Sequence, residues 1–399
     1  MKLKLFVVFV FAVTTAVVMA YPEVRNILGT ENPVVKAPPL QSASPAKIEA
    51  VFVLDTTGSM SGLIQAAKEK IWSIASSMAS ADSQPQIKLG LVAYRDRGDD
   101  YVTRVVDLSS DLDSVYATLM DFNANGGGDG PESVNQALDD AIRKISWSTD
   151  TAAYQVVFLV GDAPPHMDYP DDVKYPDIMA QAANKGIIVN AIQCGQNSET
   201  TRSWQQVAQL GYGEYFKVGQ DGNAVALKTP FDEKLADLSA RLDSTRLYYG
   251  SRERKAEKAR KLAATEKLHE SASIESQARR AAFNASKSGK LNQIGEGDLV
   301  DDVSSGRLDL GKVDRDALPE SMKPMAPTEQ SALIQEKAEL RGQLTRRIQQ
   351  LSAQRSEFLQ NELKTKGAGK DSLDQRLYNV VREQAGKKGL VYSSDTPAY

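Results

Sequence analysis

The chain has 399 residues, of which 41% are hydrophobic and 25% are charged, so it has room for two or three domains and one sizeable core. Its formal net charge of −4 gives no general reason to expect nucleic acid as a partner. The single cysteine, Cys194, excludes an internal disulfide. Because Cys194 lies in an apolar run, we expect a small buried core residue there and not a reactive thiol.

The first 20 residues have the pattern of a signal peptide. Lys2 and Lys4 make a basic start, and the apolar run from Leu5 to Val18 is too short for a comfortable transmembrane helix. Small or aliphatic residues before Tyr21 predict cleavage there, and no cysteine lies nearby to carry a lipid anchor. We therefore expect a periplasmic or secreted protein with no transmembrane segment after cleavage. An uncleaved membrane anchor is the alternative.

Residues 21–47 contain five prolines among polar residues, which predicts a Pro-rich linker. From residue 48 to residue 250, short apolar runs alternate with amphipathic helical patterns. This alternation is typical of an α/β domain whose mostly parallel sheet is covered by helices on both faces. The predicted strands are Ile48 to Leu54, Ile87 to Tyr94, Arg104 to Leu108, Tyr154 to Val160, Ile187 to Gln193 and Glu214 to Val218. The short polar loop between the second and third strands is compatible with a hairpin, which would add one antiparallel edge strand.

Beyond residue 250 the composition changes. Residues 251–285 are rich in Arg, Lys, Glu and Ala, which predicts one long, exposed, charged helix. Residues 286–327 are rich in Gly, Ser, Asp and Pro, so we expect a flexible linker. Residues 328–399 predict a helical C-terminal region, partly coiled-coil, because apolar positions between Leu333 and Phe358 keep close to a heptad spacing. This spacing is open to three interpretations: a solvated helix, a helical hairpin contact, or coiled-coil self-association.

A short polar motif follows the first predicted strand. Asp55 ends an apolar run, and the hydroxyls of Thr57 and Ser59 follow at alternate positions before a helical pattern begins. These side chains therefore lie at the carboxyl end of a strand, where open α/β sheets bind ligands. Asp162 follows the fourth predicted strand, and the glycine-rich loop 126–132 precedes a helix. We expect both at the same end of the sheet.

The carboxylates and hydroxyls at this sheet end make an all-oxygen donor set. Hard donors with few charges suit a Mg²⁺-type ion that keeps some of its waters. A zinc site is improbable because soft ligands are missing and the chain holds only two histidines, His166 and His269. The motif alone also has a structural interpretation, in which Asp55 accepts backbone hydrogen bonds in a turn and Ser59 caps a helix.

The Asp-x-Thr-x-Ser motif at 55–59, together with the later Asp162, resembles the metal-ion-dependent adhesion site of von Willebrand factor type A domains of the exported bacterial type. The resemblance covers about residues 48–247. It implies a six-stranded, doubly wound sheet and a divalent cation, usually Mg²⁺, with Mn²⁺ or Ca²⁺ as alternatives. It also implies that an acidic side chain of a partner fills the free position of this cation. The residues that would hold the cation are Asp55, Thr57, Ser59 and Asp162.

One loop departs from the pattern of this family. Its members usually supply a threonine from the loop before a helix, whereas this chain has Asp129 there, with Glu132 close behind. A third carboxylate beside the cation would weaken its attraction for an acidic partner. Asp129 is a candidate metal ligand, directly or through water. Its structural alternative is to cap the helix that begins at Pro131.

These patterns favour a binding module over an enzyme. A haloacid-dehalogenase-like phosphatase would need a second Asp two residues after Asp55, and neither a nucleophile elbow nor a nucleotide-binding P-loop occurs. We expect an exported, non-enzymatic module that captures an acidic group of a protein or surface ligand through Mg²⁺. The alternatives are a metal-dependent hydrolase of the cell envelope and an envelope scaffold that assembles through its C-terminal helices.

Overall fold

One six-stranded sheet lies at the centre of the structure. The computed structural model describes residues 46–128, 130–219, 227–365 and 373–393. The strands are β1 (Lys47–Asp55), β2 (Gln86–Tyr94), β3 (Thr103–Ser109), β4 (Tyr154–Gly161), β5 (Ile188–Cys194) and β6 (Tyr212–Val218). They lie in the order β3–β2–β1–β4–β5–β6, and every neighbouring pair is parallel except β2 with β3. The predicted strands and the antiparallel edge are confirmed, apart from small shifts at the strand ends.

The sheet is doubly wound, because the chain passes from β1 to β2 on one side and later places β4 on the other side of β1. In such sheets a crevice opens at the carboxyl ends of the two strands where the winding reverses. Those strands are β1 and β4, and their apolar runs explain why they are central. β4 is buried along its whole length, as expected for a parallel strand covered on both faces.

Helices cover both faces of the sheet. They are α1 (Ile64–Ala79), α2 (Leu112–Asp121), α3 (Val134–Arg143), α4 (Tyr175–Lys185) and α5 (Ser198–Leu210). Trp72 on α1 belongs to one hydrophobic core, and Trp204 on α5 belongs to a second one. The predicted α/β architecture, with helices on both faces of a mostly parallel sheet, is therefore confirmed.

A block of helices follows the sheet. It contains α6 (Asp232–Asp243), α7 (Arg252–Ser271), α8 (Ile274–Asn284), α9 (Lys290–Ile294), α10 (Leu299–Ser304) and α11 (Pro327–Thr365). The prediction of one exposed charged helix over 251–285 is wrong. Ser273 caps a separate helix, α8, by accepting a hydrogen bond from the Ser276 amide. Arg280 on α8 is fully buried, which is tolerated because it pairs with two aspartates.

The segment expected as a flexible linker, 286–327, also differs from the prediction. It contains α9, α10 and two 3₁₀ turns, Leu310–Lys312 and Arg315–Ala317. The side chain of Asp298 caps α10 and also pairs with Arg341 on α11. A small buried apolar cluster joins this segment to α11, and its members are Leu299, Leu318, Met322 and Ile334. Gly, Ser and Asp dominate the composition, so the few apolar residues that fix the segment are easily overlooked.

The long helix α11 uses its apolar stripe inside the chain. Leu344, Ile348 and Leu351 are buried in a cluster with residues of α6 and α8. The heptad-like spacing therefore corresponds to packing against other helices of the same chain. Self-association through a coiled coil stays a prediction.

The last described helix, α12 (Leu373–Gly386), returns to the sheet and packs against α1 and β6. Its Gln384 is buried and exchanges two hydrogen bonds with Asn190 on β5, of 2.9 Å and 3.1 Å. The Tyr154 hydroxyl donates a third one, of 2.7 Å, to Gln384 Oε1. The sheet is thus covered in part by a helix from far along the chain.

Two predicted segments lie wholly or almost wholly outside the described residues. The signal peptide and all but the last two residues of the Pro-rich linker fall there, and both stay predictions. Among the helices of the described residues, none is both long and apolar enough to cross a membrane.

Candidate metal centre

The four predicted ligands in the described residues meet at the carboxyl ends of β1 and β4. Asp55 Oδ1 accepts hydrogen bonds from the amide and the hydroxyl of Thr57, at 2.9 Å and 2.6 Å. The Thr57 and Ser59 hydroxyl oxygens lie 3.1 Å apart. Ser59 in turn donates to Asp162 Oδ1 at 2.8 Å. The structure therefore links Asp55, Thr57, Ser59 and Asp162 in one continuous chain of oxygens.

Local geometry explains why the motif curls back on itself. Residues Gly58–Gly62 form a 3₁₀ turn directly after the strand. The Gly58 amide donates to the Gly126 carbonyl at 3.0 Å, which ties the motif to the glycine-rich loop. A Cβ on Gly58 would lie 3.0 Å from that same carbonyl oxygen, so only glycine approaches the loop without displacement. The turn brings Ser59 next to Asp162.

The glycine-rich loop contributes Glu132 to the same place. Asp129 lies outside the described residues, so its predicted role stays a prediction. A Cβ built on Gly127 would lie 2.9 Å from Glu132 Oε1 and 3.2 Å from the Thr57 Cβ, which places the Glu132 carboxyl beside the motif. The Glu132 backbone is held by the loop after β4, through the Pro164 carbonyl and the His166 amide.

Electrostatics at this site is unfavourable without a cation. Burial raises the pKa of Asp55 to about 7, although the two bonds from Thr57 oppose this. Burial, reinforced by the carboxyls of Asp55 and Asp96, raises the pKa of Glu132 to about 9. Burial also raises the pKa of Asp162. A bound divalent cation would favour the ionised form of all three carboxyls.

Two buried carboxyl oxygens support the fit of a cation. Within the described part of the chain, Asp55 Oδ2 and Glu132 Oε2 have no hydrogen-bond partner. Buried polar atoms are normally satisfied, so each of these two calls for a water or an ion. No set of three or more His, Cys, Asp or Glu side chains in the described residues is arranged as a metal cluster, so the site depends on its hydroxyls as well. An oxygen set of this kind suits Mg²⁺ better than zinc.

A cleft of about 300 Å³ opens beside these oxygens. Its walls come from the loops after β1, β4 and β5 and from the glycine-rich loop, and include Thr57, Ser59, Gly126, Gly127, Glu132, Asp162, Cys194 and Asn197. Burial raises the pKa of Cys194 to about 12, so its thiol stays protonated and is a poor metal ligand. The cleft leaves room for a ligand group next to the cation.

Arg95 and Asp96 hold the loops of the site together. Arg95 donates to the carbonyls of Thr56 and Asn123, at 3.2 Å and 2.9 Å. Asp96 accepts a hydrogen bond of 2.8 Å from Ser133, next to Glu132. These contacts anchor the loops that carry the candidate ligands.

Two residues at the site escaped sequence reasoning. Tyr94 and Gly161 end β2 and β4, and both lie against Asp55. An aromatic residue and a glycine at strand ends are too common to stand out as signals. Only the pairing of β1 with β2 and β4 brings them together.

Comparison with known proteins agrees with this fold. Residues 49–229 match a family model described as von Willebrand factor A domain. This part of the chain is therefore similar to von Willebrand factor A domains, which generally mediate protein–protein interaction or adhesion.

The relatives cover only part of the chain. The von Willebrand factor A domain-containing protein 7 of Rattus norvegicus and that of Mus musculus are each 35% identical over 114 residues, 29% of this chain. The chain spans 12% of the length of either relative. Among solved structures, the von Willebrand factor type A protein from Catenulispora acidiphila is 19% identical, with a TM-score of 0.35, over 45% of this chain and 40% of that one. The SpRpn10 VWA domain is 13% identical, with a TM-score of 0.35, over 46% of this chain and 96% of that one.

Proposed function

We propose that the chain is an exported, metal-dependent binding module that captures an acidic group of a protein or surface ligand. The observation that carries the proposal is the convergence of Asp55, Thr57, Ser59 and Asp162 at the mouth of a cleft. Such a set would hold Mg²⁺, or Mn²⁺ or Ca²⁺ in its place. The bound cation would supply a positive coordination position for a carboxylate of the ligand.

The loop before α3 carries two further carboxylates, Asp129 and Glu132. Glu132 is the described candidate for a further oxygen ligand, because its Oε2 is buried without a partner among the described residues. Asp129 stays a candidate on sequence grounds. Each additional carboxylate reduces the attraction of the cation for an acidic ligand. Replacing Glu132 by Gln keeps an oxygen donor and removes a charge, so Glu132→Gln is expected to retain or strengthen capture.

Cation-dependent binding of an acidic peptide tests the proposal. The probe is a set of peptides with one Asp or Glu, each paired with its Asn or Gln counterpart, and binding is measured with Mg²⁺ and with EDTA. The wild-type chain is expected to bind acidic members only with Mg²⁺. Asp55→Ala is expected to abolish this binding and to leave the far-UV circular dichroism unchanged.

The matched control is Asp177→Ala, which removes an exposed carboxylate of α4 that does not line the cleft and should bind like wild type. Peptide binding that survives both EDTA and Asp55→Ala contradicts the proposal. Binding without turnover is part of the proposal. Cleavage of phosphoester or peptide substrates that disappears with EDTA would favour the envelope hydrolase instead.

A further inference from the structure

Tyr94, the last residue of β2, has a hydroxyl that the fold alone does not explain. The residue is 0% exposed, and its hydroxyl has no hydrogen-bond partner among the described residues. A buried hydroxyl without a partner is disfavoured relative to an apolar group of the same shape. Phenylalanine would fill the same space without this cost. The hydroxyl therefore calls for a polar partner.

Gly161, at the end of β4, defines where that hydroxyl lies. A Cβ built on Gly161 would be 2.5 Å from Tyr94 Oη and 2.9 Å from Asp55 Oδ2. Both oxygens thus border the same small space between three adjacent strands, β2, β1 and β4. Any larger residue at 161 would fill the space and separate them. Because Gly161 has no side chain, no atom of residue 161 lies between the Tyr94 phenol and the Asp55 carboxyl at this place.

The two oxygens of Asp55 have different environments. Oδ1 accepts two hydrogen bonds from Thr57, whereas Oδ2 is buried and has no partner in the described chain. Tyr94 is the hydroxyl donor that borders the space next to Oδ2. A phenol in its ordinary protonated form can donate a hydrogen bond to this oxygen.

We propose that Tyr94 is a positioning residue of the cation site: its hydroxyl donates to Asp55 Oδ2 across the space left by Gly161 and fixes the orientation of this carboxylate. The inference rests on the proposed function, because it concerns the same cation. Both carboxylate oxygens of Asp55 then accept hydrogen bonds, Oδ1 from Thr57 and Oδ2 from Tyr94. Hydrogen bonds of this kind orient metal-binding carboxylates and tune their affinity.

Titration of the full chain with MgCl₂ by isothermal calorimetry, combined with melting curves in EDTA and in Mg²⁺, tests the inference. Tyr94→Phe is expected to bind Mg²⁺ about 10–100-fold more weakly than wild type. Its melting temperature in EDTA should equal or exceed that of wild type, because an unpartnered hydroxyl is lost. The melting increase on adding Mg²⁺ should shrink. A merely structural role would instead lower both melting temperatures together.

The control is Tyr392→Phe, which removes another buried hydroxyl without a partner among the described residues, away from the cation site. It should leave Mg²⁺ affinity unchanged. Gly161→Ala closes the space from the other side and should weaken Mg²⁺ binding as Tyr94→Phe does. Wild-type affinity in Tyr94→Phe overturns this inference alone. Failure of the wild-type chain to bind Mg²⁺, Mn²⁺ or Ca²⁺ overturns it together with the proposed function.

Discussion

The carboxyls of Asp55, Glu132 and Asp162 lie together at the sheet end, where burial favours their protonated forms. Asp55 is fully buried and Glu132 is 3% exposed, so neither is well solvated. Their pKa values, raised by burial to about 7 and about 9, lie above the ordinary values of 3.8 and 4.5. Between those limits the folded chain without metal binds more protons than the unfolded chain.

The free energy of unfolding in EDTA is therefore expected to fall as the pH rises from about 5 to about 9. The favourable contribution is complete below the ordinary pKa values and is lost as the pH passes 7 for Asp55 and 9 for Glu132. Urea unfolding at several pH values measures this slope. Saturating Mg²⁺ should remove most of it, because the cation favours ionised carboxylates.

Glu132→Gln isolates the upper part of that profile. The variant should flatten the fall between about pH 7 and pH 9 and reduce, without abolishing, the fall between about pH 5 and pH 7, to which Asp55 also contributes. Stability in EDTA that rises over the same pH range would contradict the assignment of these two carboxyls.

The sequence predicts the site residues that are neighbours in the chain, and it misses those that only the fold brings together. Asp55, Thr57 and Ser59 lie within five positions, and a strand before them and a helix after them fix their place. Asp162 follows from recognising a second strand of the same kind. The orientation of Glu132 and the space beside Gly161 depend on strand pairing and loop contacts that no local pattern encodes.

Among the elements, α12 shows how a distant helix is tied to the sheet. Gln384 forms a two-bond pair with Asn190 and accepts a third hydrogen bond from Tyr154, and all three side chains are buried. An amide has both donors and acceptors, so one Gln satisfies two strands at once. The pair specifies how α12 lies on β4 and β5.

Gln384→Ala is expected to lower the free energy of unfolding by about 1–3 kcal/mol for each buried group that it leaves unpaired. Urea unfolding with tyrosine and tryptophan fluorescence measures the change. Glu383→Ala, on the exposed side of the same helix, is the control and should change stability by less than about 0.5 kcal/mol. Equal stability of the two variants would show that the amide pair does not hold α12.

Strands and helices are predicted well where their apolar residues recur at a regular spacing, and burial is predicted badly where a segment is rich in charged residues. The six strands and the long helix α11 follow from their apolar spacing. The charged segment 251–285 was expected on the surface, because nothing in the residues near Arg280 indicates that it pairs with Asp113 and Asp243 in the fold. Burial of a charge depends on partners that are distant in sequence.

At the scale of the whole molecule, Arg280 joins the sheet and the helical block. It donates to both oxygens of Asp113 on α2, at 2.7 Å and 2.5 Å, and to Asp243 at the end of α6, at 2.7 Å. Burial alone would raise the pKa of Asp113, but the Arg280 guanidinium more than offsets this and holds it well below its usual range. The network is one of several polar contacts between these parts, and the ion pairs Lys261–Asp111 and Lys267–Asp121 are others.

Arg280→Ala is expected to destabilise the chain by about 3–5 kcal/mol, because it removes the cation paired with buried Asp113 and one of the two arginines paired with Asp243. Thermal and urea unfolding measure the loss, and separate transitions for the sheet and the helices are the expected signature. Arg260→Ala, an exposed position on α7, serves as the control. A single cooperative transition at the wild-type midpoint would refute the role of this network.

The return of α12 to the sheet also orders events during synthesis. All six strands leave the ribosome well before residues 373–386 do, so the apolar surface that α12 covers is open in every shorter nascent chain. A chain that stops before residue 373 therefore exposes part of its core to water. The core on this face of the sheet is completed only after α12 has been made, long after the six strands.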